Sequence, residues 1–196
     1  ASYSGTYGDE WRLFGRPLGL IESWNLTRSF NDVDESQRFF KAESATLYDY
    51  AVRRSTTSVQ LGGISGLSYR LSPSHTVHLR GLYSNSADDE VRTYEGPDHN
   101  RTEAISQTWL VYRNTRLMYV ERNVLSGTLE GNHRFARLAG LGLDWRFSRS
   151  RAKRLQPDRR ELTYNRVYYF PGDTAHWVLG STGSREYGDL RDDGWG

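Results

Sequence analysis

Apolar and polar residues alternate with a period of two along much of this chain, and the repeat of an amphipathic helix is hard to find. In Leu18–Phe30 the even positions carry Leu18, Leu20, Glu22, Trp24, Leu26, Arg28 and Phe30, opposed by small and polar odd positions. Ser58–Leu71 repeats the pattern, with Val59, Leu61, Leu67, Tyr69 and Leu71 on one face. Thr76–Ser84 sets Val77, Leu79 and Tyr83 against Thr76, His78 and Arg80. The cleanest stretch is Leu141–Ser148, with Leu141, Leu143, Trp145 and Phe147 on one side. Two further strands are expected: Tyr3–Leu13 groups Tyr3, Tyr7, Trp11 and Leu13, and Leu117–Gly131 groups Leu117, Tyr119, Leu125 and Leu129. The pattern predicts about six strands and an all-β chain.

The connections sharpen that reading. Phe14-Gly15-Arg16-Pro17, Ser72-Pro73-Ser74 and Arg134–Gly140 read as short turns. Long polar stretches lie between them: Asn31–Thr57, Asn85–Arg116 (with a strand extension through Trp109–Tyr112) and Ala152–Gly196. In an antiparallel up-and-down meander, alternate connections fall at opposite ends. All short turns then lie at one end and all long loops at the other, as in a transmembrane β-barrel with short periplasmic turns and long extracellular loops. Alternating runs of about nine to eleven residues suit strands crossing a bilayer at a tilt. Six strands cannot close such a barrel, whose smallest forms have about eight, so residues 1–196 are expected to be a partial β-barrel segment.

Composition fits that architecture. Hydrophobic residues make up 36% of the 196 residues and aromatic residues 13%, while mean hydropathy is -0.75. A barrel with a wet lumen needs apolar residues on only half of each strand, and its Tyr and Trp favour the headgroup region. No run of about 18 apolar residues supplies a membrane helix. The 26 basic and 24 acidic residues nearly cancel, and their signs alternate along the chain, which points to a solvated surface and away from nucleic acid. Cysteine is absent, so disulfides, thiolate zinc sites and a cysteine nucleophile are excluded together. The chain opens at Ala1 with no secretory signal, and its one methionine is Met118, so it reads as a piece of a longer product.

Several stretches resemble barrel hairpins of bacterial TonB-dependent outer-membrane receptors. They are Leu71-Ser72-Pro73-Ser74-His75-Thr76-Val77-His78-Leu79-Arg80, Asn85 to Gly96, and Tyr119 to Gly127. The segment from Leu143-Asp144-Trp145 through Pro157-Asp158-Arg159-Arg160-Glu161 is similar to the same family. The resemblance implies a 22-stranded barrel plugged by an N-terminal domain and driven by the inner-membrane TonB complex. It implies uptake of a scarce nutrient of the siderophore, cobalamin, haem or oligosaccharide class. The plug domain, the TonB-contacting box and a C-terminal aromatic strand are absent from this sequence. Partners expected on that basis are outer-membrane lipid, the TonB complex through the missing plug region, and a small-molecule or oligosaccharide ligand.

No catalytic fingerprint accompanies these features. Gly-x-Ser-x-Gly, P-loop and strand-linked Gly-x-Gly-x-x-Gly motifs are missing, so no enzyme activity and no cofactor are expected. His75 and His78 would fall on opposite faces of one strand, which predicts no joint metal site. Asp88-Asp89-Glu90 and Asp189/Asp192/Asp193 lack the spacing of a calcium loop. The best binding candidates mix cations with rings: Arg92, Tyr94, His99 and Arg101 in one loop, and Tyr168, Tyr169, His176 and Trp177 in the last. Such groups recognise anionic chelates or sugars by charge-assisted hydrogen bonds and stacking. The competing expectation is a soluble, secreted β-sandwich that binds carbohydrate; there Val59, Leu61, Leu143, Trp145 and Phe147 would pack against a second sheet. A barrel hydrolase is a third, and it would need a Ser/His/Asp set at one mouth.

Overall fold

The structure, a computed structural model, describes residues 1–41, 46–97, 109–169 and 172–196. They form one antiparallel sheet in which every strand pairs with its neighbours in sequence. The strands are β1 (Ser2–Leu13), β2 (Arg16–Phe40), β3 (Thr46–Ser72), β4 (His75–Pro97), β5 (Trp109–Phe135), β6 (Leu141–Tyr168) and β7 (Val178–Trp195). The all-β up-and-down meander expected from the alternation is the fold observed, although the sheet is not closed.

Strand length and number depart from expectation. β3, β4, β5 and β6 run for 27, 23, 27 and 28 residues, and a seventh strand occupies Val178–Trp195. Much of Asn31–Thr57, Asn85–Arg116 and Ala152–Gly196 is therefore strand and not loop. These upper halves carry charged side chains on both faces and are held sideways by cross-strand pairs. Arg53 reaches Asp32 at 3.0 Å, Arg54 reaches Glu35 at 2.9 Å and Arg38 reaches Asp49 at 3.1 Å. Arg151 and Asp193 do the same between β6 and β7 at 2.8 Å.

The asymmetry of the connections survives in reduced form. At one end β1 turns into β2 over Phe14-Gly15, whose φ values of 51° and 77° are the two left-handed residues of a type I′ hairpin. Pro17 is thereby already in β2, opposite Arg12. Pro73-Ser74 and the link 136–140 complete that end, where Ala139 and Gly140 repeat the φ values 51° and 77°. The two longest connections, β4–β5 and β6–β7, lie at the other end, where the β2–β3 connection over 41–45 is no longer than the link 136–140.

The predicted faces hold in the six predicted stretches, as far as the register shift at Leu71 on β3. Leu18, Leu20, Trp24 and Leu26 of β2 share a face with Leu61, Leu67 and Tyr69 of β3, because directly paired residues project to one side. Through the β4, β5 and β6 registers this face continues over Leu79, Leu129 and Phe147. It is open: Leu143, Trp145, Phe147 and Leu61 are 48%, 36%, 49% and 40% exposed. Among the described residues no second sheet covers them, so the sandwich packing is not found. The four most buried non-glycine residues, Val52, Glu90, Val120 and Thr163, all project from the opposite face. A single sheet buries side chains only where its curvature closes neighbours over them, so that polar face is the concave one.

The apolar window also drifts in register. On β2, Glu22 aside, the outward face stays apolar until Arg28; on β6 it runs from Leu141 to Phe147 and ends at Arg149. Arg149 lies in the row of Gly127, Gly81, Ser65 and Glu22, six residues below Arg28. Six residues correspond to about 20 Å along the strands, and four strand spacings to about 19 Å across them. The window's edge therefore crosses the strands at about 45°, the tilt that barrel strands adopt. Near the short turns, Trp145 lies flat over Gly131, where a Cβ would overlap the indole. Its Nε1–H donates to His133 Nε2 at 2.9 Å. His133 Nδ1 and His75 Nδ1 are 3.1 Å apart. Trp can only donate, so neutral His133 carries its proton on Nδ1 and donates it to His75.

Candidate functional site on the concave face

The upper concave face carries one continuous track of side chains. Residues two apart on a strand share a face, so Tyr48 and Tyr50 of β3 stack at a centroid separation of 5.5 Å. Phe39 on β2, opposite Tyr48, meets it edge-on at 6.1 Å. Tyr94 of β4 meets Tyr50 edge-on at 6.5 Å. Two residues beyond Tyr94 on β4 is Gly96, where any Cβ would run into the Asp49 carbonyl. Glycine there lets the backbones approach closely. Below Tyr94, Arg92 donates to the Tyr94 hydroxyl at 3.1 Å and to Glu90 Oε2 at 3.0 Å.

A row of guanidiniums crosses this track. Arg54, Arg92 and Arg116 are direct neighbours on β3, β4 and β5, with Glu161 next on β6. Three adjacent cations would repel, so carboxylates interleave with them. Glu35 pairs with Arg54, Glu90 with Arg92, and Glu161 with both Arg116 and Arg159. Glu186 of β7 completes the set with Arg159 at 3.0 Å. Burial pushes the Glu161 carboxyl upward, but hydrogen bonds from Arg159 and Arg116 outweigh it and hold Glu161 below the usual carboxylate range. Arg92 is raised by its bond to the Tyr94 hydroxyl, against burial and with help from Glu90. Glu90, 8% exposed, keeps one oxygen, Oε1, without a partner among the described residues, as do the Nε atoms of Arg92 and Arg159.

The sequence candidates separate in space. Arg92 and Tyr94 come together, on a strand and not in a loop. His99 and Arg101 lie outside the described residues. Trp177 is held between the guanidiniums of Arg113 and Arg166, 4.2 Å from each, on the outward side. Arg166 also donates to the Tyr168 hydroxyl at 2.7 Å, and the Tyr169 N–H donates to Asp173 at 3.1 Å. His176 is exposed beside a depression of about 560 Å³ lined by Asn165, Val167, Tyr169 and Asp173. The second cluster thus fastens the β6–β7 connection and does not join Arg92 and Tyr94. Phe39, Tyr48 and Tyr50 are not among the sequence candidates, although Tyr48 and Tyr50 already show the two-residue spacing of a shared face, and Glu90 enters the sequence reading only within the acidic run Asp88-Asp89-Glu90. Asp88 and Asp89 project to opposite faces, each paired in its own row, so that acidic run forms no common oxygen site. No cluster of three metal-ligating side chains occurs among the described residues.

No protein-family profile matches the chain, and no curated protein sequence matches it. Among solved structures it is similar to the copper transporter OprC, with 12% identity over 98% of this chain and 41% of that one, at a TM-score of 0.15. The chain therefore spans less than half the length of that transporter, and a superposition at this score carries no argument about fold or cargo.

Proposed function

We propose that this chain is a length of wall from an outer-membrane transport barrel of the TonB-dependent type, and that its concave face lines the ligand passage. The observation that carries the reading is the outward apolar window, open on one sheet face and crossing the strands at about 45°. Its depth supports the same reading. Between the outward-facing Arg16 and Arg28 lie about 41 Å of strand, or about 29 Å of vertical rise at that tilt. A bilayer's hydrocarbon core is about 30 Å thick. Two of the three far-end connections, β4–β5 and β6–β7, are longer than any turn at the near end, which agrees with a periplasmic and an extracellular side.

Strand direction adds a constraint. β1 and β7 run the same way, so pairing them would not be antiparallel, and antiparallel closure takes strands beyond these seven. On this reading the protein is a transporter and not an enzyme. Outer-membrane lipid covers its outer face, and a plug region couples it to the TonB complex. The nutrient is of the siderophore, cobalamin, haem or oligosaccharide class. The test is membrane fractionation of the whole gene product, with electrophoretic mobility before and after boiling. Recovery in the outer membrane with a mobility shift is expected; a soluble product without a shift overturns the proposal.

A further inference from the structure

The track on the concave face narrows the ligand, given the transport reading above. We infer that it takes a neutral oligosaccharide, whose sugar faces stack along Phe39, Tyr48, Tyr50 and Tyr94 while its hydroxyls engage Arg92 and Glu90. The rings form an unbroken series at 6.1, 5.5 and 6.5 Å, starting from Phe39, 51% exposed near the β2–β3 connection, and leading inward. A strip of rings meets the C–H faces of sugars repeatedly along a chain and needs no charge on the ligand.

Charge balance separates this ligand from an anionic one. Four guanidiniums, Arg54, Arg92, Arg116 and Arg159, face four carboxylates, Glu35, Glu90, Glu161 and Glu186, and all are paired. An anion entering here gains no net field and must displace a carboxylate from its arginine. Arg92 and Glu90 keep 21% and 11% of their side-chain surface exposed and so offer donors and an acceptor side by side, while the partnerless Glu90 Oε1 and the Nε–H groups of Arg92 and Arg159 are themselves buried. A hydroxyl both donates and accepts, whereas a carboxylate or phosphate ligand would set acceptor against acceptor at Glu90.

The test is calorimetric titration of the detergent-purified whole gene product with maltohexaose, cellohexaose, xylohexaose and chitohexaose. Hexagalacturonate and ferric citrate serve as anionic probes. Binding of a neutral hexaose in preference to both anions is expected. Tyr50→Ala should weaken it by about fivefold to tenfold, and Tyr94→Phe, which keeps the ring, by less. Preference for either anionic probe, no binding of any neutral hexaose, or an unchanged affinity in Tyr50→Ala overturns the inference. Boiling-dependent mobility is read on the same preparation. If it is present without neutral-sugar binding, only the ligand assignment falls; if it is absent, the transport reading falls and takes this one with it.

Discussion

Leu79→Arg tests whether the outward face meets lipid. Leu79 stands between the outward Leu67 and Leu129, is 50% exposed, and lies midway between His75 at the turn end and Asn85, the first polar outward residue above it on β4. In water the substitution removes only half the burial of one leucine, on the order of 1 kcal/mol, and the flexible arginine stem recovers part of that. In a bilayer an arginine at the midplane of a barrel's lipid face costs about 2–4 kcal/mol. Ser126→Arg is the control, because Ser126 projects to the concave face opposite Leu82. The assay is urea unfolding of the whole gene product in phospholipid vesicles, followed by gel mobility. With a slope of about 2 kcal/mol per molar urea, Leu79→Arg should lower the midpoint by about 1–2 M while Ser126→Arg leaves it nearly unchanged. A Leu79→Arg midpoint within about 0.3 M of the parent, on the same slope, would refute lipid contact at this face.

Four further outcomes follow from local geometry. Gly15 has φ of 77° with open space around it, so Gly15→Ala should cost about 1 kcal/mol from backbone strain alone, and Gly15→Asn less, in the same urea assay. Gly131→Ala should push Trp145 off the strand and break its bond to His133, seen as a change in indole emission that is absent from a Trp145→Phe background. Trp177→Leu removes the ring shared by Arg113 and Arg166 and should speed proteolysis of the β6–β7 connection without altering heat-modifiable mobility. Asp158 is held down to about 2 by hydrogen bonds from Arg185 and Arg160. A depressed carboxyl stabilises the fold fully above its unfolded value near 3.8 and loses that contribution as pH falls toward 2. Amide exchange at Arg185 and Glu186 should therefore accelerate between pH 4 and 2 relative to the rest of the sheet, and Asp158→Asn should abolish that pH dependence.

What the sequence made legible depends on what opposes each residue. In Leu141–Ser148 one face is apolar and the other small or polar, so Leu141, Leu143, Trp145 and Phe147 stand out within a single strand. The face assignments made that way hold in all six stretches, as far as the register shift at Leu71. Above Arg28 on β2 charged residues occupy both faces, and alternation loses its contrast: Arg53 and Arg54 are consecutive, face opposite ways, and are both charged. What keeps this half in the sheet is pairing with Asp32 and Glu35, twenty-one and nineteen residues away. That signal lies between strands and is invisible in a scan along one. β7 was missed for the same reason, since Arg185, Asp189, Arg191 and Asp193 read as a solvated tail until β6 is set beside them.

The candidate site sits in the half that alternation cannot read, and this explains its partial recovery. Arg92 and Tyr94 were legible because a cation and a ring two residues apart suit recognition whether the backbone is loop or strand. Their partners were not, because the link from Tyr94 to Tyr50 depends on a register in which Val52 faces Tyr94 and Ala51 faces Glu95. A shift of one residue would send Tyr48 and Tyr50 to the outer face and dissolve the track. Register is fixed here by the Pro73-Ser74 turn and the apolar rows below, which admit only one pairing of Leu67 with Leu79 and Val59 with Ala87. The lower half of each strand, dictated by its surroundings, thereby positions the upper half. An insertion of one residue between Leu61 and Arg54 should abolish ligand binding while leaving the lower sheet and its heat-modifiable mobility intact; an insertion that spares binding would show that the track is not set by this register.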